Sequence, residues 1–79
     1  MKIRKEIKIN PSGFVFNANS GDSYTINSLG LEVILLLKKG KSKETIVEDL
    51  IETYDTNRSV LEKDVSEFLL MLQHHKLAK

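Results

Sequence analysis

The side chains able to act as acids, bases or metal ligands are few and dispersed. His74 and His75 are the only histidines, and neighbours on a helix point about 100° apart, so they cannot easily share one metal ion as residues four apart do. Two solvated side chains near a helix end account for them. Asp64 and Glu67 stand three apart, which puts them on one side of a helix in the manner of an acid/base pair. No nucleophile, metal cage or second convergent cluster accompanies them, so they read as a solvated acidic face rather than as catalytic groups. Gly13, Gly21, Gly30 and Gly40 match neither G-x-G-x-x-G nor G-x-x-x-x-G-K, so no phosphate cradle is written in their spacing. They read as turn and packing glycines. Gly30, early in a helical segment, either admits a closely approaching backbone or has its propensity cost offset by packing. Cysteine is absent, which removes disulfides, thiolate zinc sites and iron–sulfur clusters built from this chain. These residues give no basis for an enzyme, a metal or a cofactor.

The chain of 79 residues suits one domain over residues 1–79, because so short a chain cannot divide its apolar surface between two cores. Hydrophobic residues make up 41% and charged residues 29%, a balance that predicts folding rather than disorder. The opening Met1-Lys2-Ile3-Arg4-Lys5-Glu6 lacks a following apolar stretch, and no apolar run is longer than that from Val33 to Leu37, far short of the roughly 20 residues a membrane span needs. The expectation is a cytoplasmic protein with no membrane partner.

Periodicity places the elements. Ile3, Ile7 and Ile9 fall on one side of an extended segment, with charges chiefly on the other, which predicts a first strand. Pro11-Ser12-Gly13 breaks it before the second, Phe14 to Asn17, and Asn19-Ser20-Gly21-Asp22 supplies turn chemistry before a third, Ser23 to Ile26. The apolar period then becomes helical. Asn27 or Ser28 caps a first helix closed by Gly40, and the run through Leu29, Leu31 and Val33 to Leu37 leaves that helix almost no polar face, so it is expected at the centre of the core. Ser42 opens a second helix with an apolar stripe from Ile46 to Tyr54. Ser59 with Glu62 forms a capping box for a third, running to about His75 with Leu61, Val65, Phe68, Leu69 and Leu72 inward. Leu70 and Met71 lie off that stripe. The fold class is α+β, winged-helix-like in proportions, with a three-stranded antiparallel sheet followed by three helices.

Charge placement argues against nucleic acid. The net charge is +1, and both helices that would enter a groove lead with acids: Glu44, Glu48, Asp49 and Glu52 on the second, Glu62, Asp64 and Glu67 on the third. What remains is an outer strand with nothing in the sequence to cover it, beside a helix with surplus apolar side chains. An uncovered edge offers backbone N–H and C=O groups to an extended chain. An edge blunted by charge or hidden in a homodimer fits the same residues.

From Tyr24 onward the chain resembles the PqqD family of pyrroloquinoline quinone biosynthesis and the wider class of recognition elements for ribosomally made, modified peptides. Tyr24-Thr25-Ile26-Asn27 leading into an apolar helix, Gly40-Lys41-Ser42, the Ile46-Val47 and Leu50 pattern, and Asp64-Val65 followed by Phe68-Leu69 carry the resemblance. It implies a non-catalytic peptide chaperone: a precursor's leader peptide adds a strand beside the third strand, lies against the third helix and is presented to a modifying enzyme, often a radical S-adenosylmethionine enzyme. Thr25-Ile26 stands where the family often has two leucines, and Gly30 where it more often has alanine or threonine, which ties the chain to the class more than to the quinone pathway. The expected peptide-binding residues are Ser23, Tyr24, Thr25, Ile26, Glu67, Leu70 and Met71. The rival readings are a winged-helix DNA-binding module and a homodimerising structural domain.

Overall fold

The structure is a computed structural model describing residues 1–79. Strands β1 (Ile7–Asn10), β2 (Phe14–Asn17) and β3 (Ser23–Thr25) precede helices α1 (Ser28–Lys38), α2 (Lys43–Ile51) and α3 (Arg58–His74). The sheet is antiparallel in the order β1-β2-β3. Its inner face carries Ile7, Val15 and Asn17, all buried, and the facing partners Ile9 and Tyr24. Its outer face carries Lys8, Phe14, Phe16, Ser23 and Thr25, all exposed. One core holds the inner face of the sheet to the helices through Val33, Ile34, Ile46, Leu61, Val65 and Leu72.

Turn chemistry fixes the register. Asn10 Oδ1 accepts from the Ser12 N–H at 2.9 Å, and the Gly13 N–H donates to the Asn10 carbonyl at 2.9 Å. Gly13 has φ +99°, and a Cβ there would meet the Ile26 carbonyl oxygen at 2.7 Å, so only glycine lets β3 approach this closely. Asn17 is buried, yet its side-chain oxygen accepts from the N–H groups of Asn19 and Ser20, which offsets the cost of burying an amide.

The first strand is shorter than its alternation predicts. The Ile7 N–H turns back to the Arg4 carbonyl at 3.1 Å, and the residues before that turn pair elsewhere: Arg4 N–H donates to Leu77 O at 3.0 Å and Lys79 N–H to Lys2 O at 2.8 Å. Ile3 forms an isolated bridge with Ala78. The period-two pattern is therefore satisfied twice, by β2 for Ile7 and Ile9 and by the chain's last residues for Ile3.

Asn27 caps α1, its Oδ1 accepting from the Gly30 N–H at 2.8 Å. Leu35 in α1 is 44% exposed, so this helix is flanked by the core on part of its circumference rather than enclosed by it. Ser42 caps α2 as its position predicts. For α3 the cap is Asn57, which accepts from the Val60 N–H at 2.9 Å, and Ser59 lies inside the first turn. The asparagine takes the role because the helix begins two residues earlier than the Ser59–Glu62 pair suggests. Glu62 instead meets the guanidinium of Arg58 at 3.2 Å.

Candidate functional site

Strand β3 has a neighbour on one side only. The Ile26 N–H donates to Gly13 O and the Asn17 N–H to Asp22 O, both at 2.8 Å. In an antiparallel ladder inward-bonded positions recur at every second residue, so on this segment they are Asp22, Tyr24 and Ile26. The N–H and C=O groups of Ser23 and Thr25 consequently point away from β2, and both residues are exposed. This edge presents two residues' worth of backbone donors and acceptors with no partner strand.

The C-terminal end of α3 reaches β3 through one side-chain contact. The Tyr24 ring sits 5.1 Å from the His75 ring, just beyond the end of α3. Farther along, Asn27, Leu29, Gly30 and Val33 face Asp64, Val65, Glu67, Phe68 and Met71 across a groove of about 420 Å³. The two chains therefore run in opposite senses. Three strand steps from Tyr24 to Asn27 and seven helical steps from His75 to Phe68 each span about 10 Å.

Gly30 explains the depth of the groove. A Cβ at that position would lie 2.7 Å from Phe68 Cε1 and 2.9 Å from Cζ, so the close approach Gly30 permits is that of an aromatic ring rather than a backbone. Phe68 and Met71 are half-buried and pack on the core. The two histidines at the end of α3 stack edge-on, centroids 5.1 Å apart, and nowhere do three His, Cys, Asp or Glu side chains converge on one point. No helix is long and apolar enough to cross a membrane.

Of the residues expected to bind peptide, Glu67 and Met71 line the groove. Ser23 and Thr25 form the open edge. Tyr24 and Ile26 hold the strand to its neighbour, and the Ile26 N–H is already engaged. Leu70 is 64% exposed and sits on the α3 surface beside the groove, outside its lining. Sequence reasoning did not single out Asn27, Leu29, Gly30, Val33, Asp64, Val65 or Phe68 as lining residues. Val65 and Phe68 carry an ordinary helical core pattern; the signals present are Gly30, a glycine where a helix prefers another residue, and Asp64, three residues from Glu67 on the same side of α3.

The profile of the family described as Coenzyme PQQ synthesis protein D (PqqD) matches residues 12–78. Two solved structures share the fold. TbiB1 in complex with the TbiA(beta) leader peptide is 26% identical, with a TM-score of 0.89 over 100% of this chain and 95% of that one. Lasso peptide synthetase B1 complexed with the leader peptide is 21% identical, with a TM-score of 0.88 over 99% of this chain and 95% of that one. No curated protein matches the chain.

Proposed function

This chain belongs to the PqqD family, and from that premise we propose that it is a non-catalytic binder of a precursor's leader peptide, taking it as an added strand beside β3 and handing it to a modifying enzyme such as a radical S-adenosylmethionine enzyme. One observation carries the reading: the outward backbone groups of Ser23 and Thr25 stand unpaired on the strand that leads into Asn27, where the groove between α1 and α3 begins. An extended segment can satisfy them, and its alternate side chains then face α3. The two similar structures, both of complexes with leader peptides, support this use of the fold. Ser23 and Thr25 supply pairing, Tyr24 and Ile26 keep the docking strand in place, Glu67 and Met71 form the wall, and Leu70 extends the apolar rim.

The test is amide chemical-shift mapping of the labelled protein, titrated with the TbiA(beta) leader and with leaders of precursors encoded beside this chain's gene. Shifts at Ser23, Thr25 and along Glu67 to Met71 are expected. A peptide that binds without moving the Ser23 and Thr25 amides would rule out strand addition at β3. Binding of duplex DNA with a steep salt slope, and of no peptide, would replace the proposal with the DNA reading.

A further inference from the structure

We propose that the peptide segment this groove selects is cationic next to its anchor: a lysine or arginine stands two residues away from an aliphatic or aromatic side chain. The inference rests on the peptide-binding reading above and specifies its ligand. Asp64 and Glu67 are the only charged residues lining the groove. The chain's ion pairs, Arg4–Glu6, Arg58–Glu48 and Arg58–Glu62, lie elsewhere, so both carboxylates are without a cationic partner. The other polar lining group, the Asn27 side-chain oxygen, is occupied by the Gly30 N–H. Between these groups the groove is apolar, with Leu29, Val33, Phe68 and Met71 packed on the core.

Spacing sets the pattern. Glu67 and Met71 are one helical turn apart, about 6 Å along α3, and two residues of an extended chain advance about 6.6 Å. A strand added at the β3 edge runs alongside α3, so a side chain seated on Phe68 and Met71 places its second neighbour beside Glu67 and Asp64. A lysine or arginine there lays its methylene stem on apolar surface and keeps its charge at the carboxylates. An acidic residue at that position meets two like charges. Each exposed charge pair contributes up to about fivefold in affinity, and salt weakens it.

Selection from a displayed library of random 12-residue peptides tests this, using the wild-type protein, the neutral Asp64→Asn/Glu67→Gln variant and the charge-swapped Asp64→Lys/Glu67→Lys variant. Both substituted positions carry solvent-exposed side chains, and thermal melts verify that the variants fold. Wild-type protein is expected to enrich peptides with a basic residue two positions from an apolar one, in the single order set by the direction of the added strand. The neutral variant loses this pattern, and the swapped variant converts it to an acidic residue two positions from an apolar one. For one selected peptide, replacing its basic residue with glutamine should weaken binding to wild type about fivefold at low salt and leave binding to the neutral variant unchanged. Enriched peptides without a basic excess would overturn this inference while leaving peptide binding intact. Failure to enrich any peptide would overturn the peptide-binding reading and this inference with it.

Discussion

A methyl group at position 30 would collide with the Phe68 ring, so the ring, which lines the groove with Gly30, must shift to admit it. Gly30→Ala gains about 1 kcal/mol of helix propensity, which offsets the displaced contact. The expected result is a melting temperature within about 5 °C of wild type with weaker peptide capture, read by melting and titration side by side. A second residue-scale contact reports on stability alone. The Tyr54 hydroxyl donates to Glu32 Oε2 at 3.0 Å. Burial raises the Tyr54 pKa above the usual tyrosine value; the Ser28 hydroxyl opposes the shift and the Glu32 carboxylate adds to it. Because the folded state holds the phenol's proton more tightly than the unfolded chain, this contribution is complete below the ordinary tyrosine pKa of about 10. It is lost as pH rises through the higher folded value. Denaturant midpoints measured from neutral to strongly alkaline pH should fall more gently above about pH 10 in Tyr54→Phe than in wild type.

At the scale of elements, helix ends and the strand edge decide the outcome. Asn57→Ala should lower stability by about 1 kcal/mol in denaturant titrations and Ser59→Ala by much less, because the asparagine alone caps α3. The opposite result would move the cap to the serine. Both α1 and α3 end in the same reciprocal bonding. In α1 the Lys41 N–H reaches Leu36 O and the Gly40 N–H reaches Leu37 O; in α3 the Leu77 N–H reaches Leu72 O and the Lys76 N–H reaches Gln73 O. The left-handed position is Gly40, φ 83°, in the first and Lys76, φ 57°, in the second. A glycine announces such a cap and a lysine does not, which is why one turn was readable and the other was not. For β3, proline at position 25 removes an N–H that points to the open edge and leaves the inward bonds of Tyr24 and Ile26 in place. Thr25→Pro is expected to keep a cooperative melt and lose at least tenfold in peptide affinity. Retained affinity would mean that the peptide does not pair along β3.

Across the whole molecule, the ends of the chain hold each other. Leu77 is 1% exposed and packs in the same core as Leu72 and Ile7, while the backbone around it bonds to residues 2 and 4. Leu77→Ala should cost about 2–5 kcal/mol, a large share of the total for a domain of this size, visible as a lowered denaturant midpoint. A change under about 1 kcal/mol would show that the terminal clasp is peripheral. The amino-acid order alone determined the three strands and three helices in sequence, the turns at Pro11–Gly13 and Asn19–Asp22 and the cap at Ser42, and it narrowed the α1 cap to Asn27 or Ser28. Each of these follows from neighbours within a few residues, through side-chain period or local hydrogen bonding. Only the tertiary structure decided that Ile3 pairs with Ala78, that Phe68 rests on Gly30, and that Asp64 and Glu67 face Asn27 and Leu29 across a groove. Those contacts join residues tens of positions apart, and an alternating or helical pattern states which side of an element is apolar without stating what will cover it.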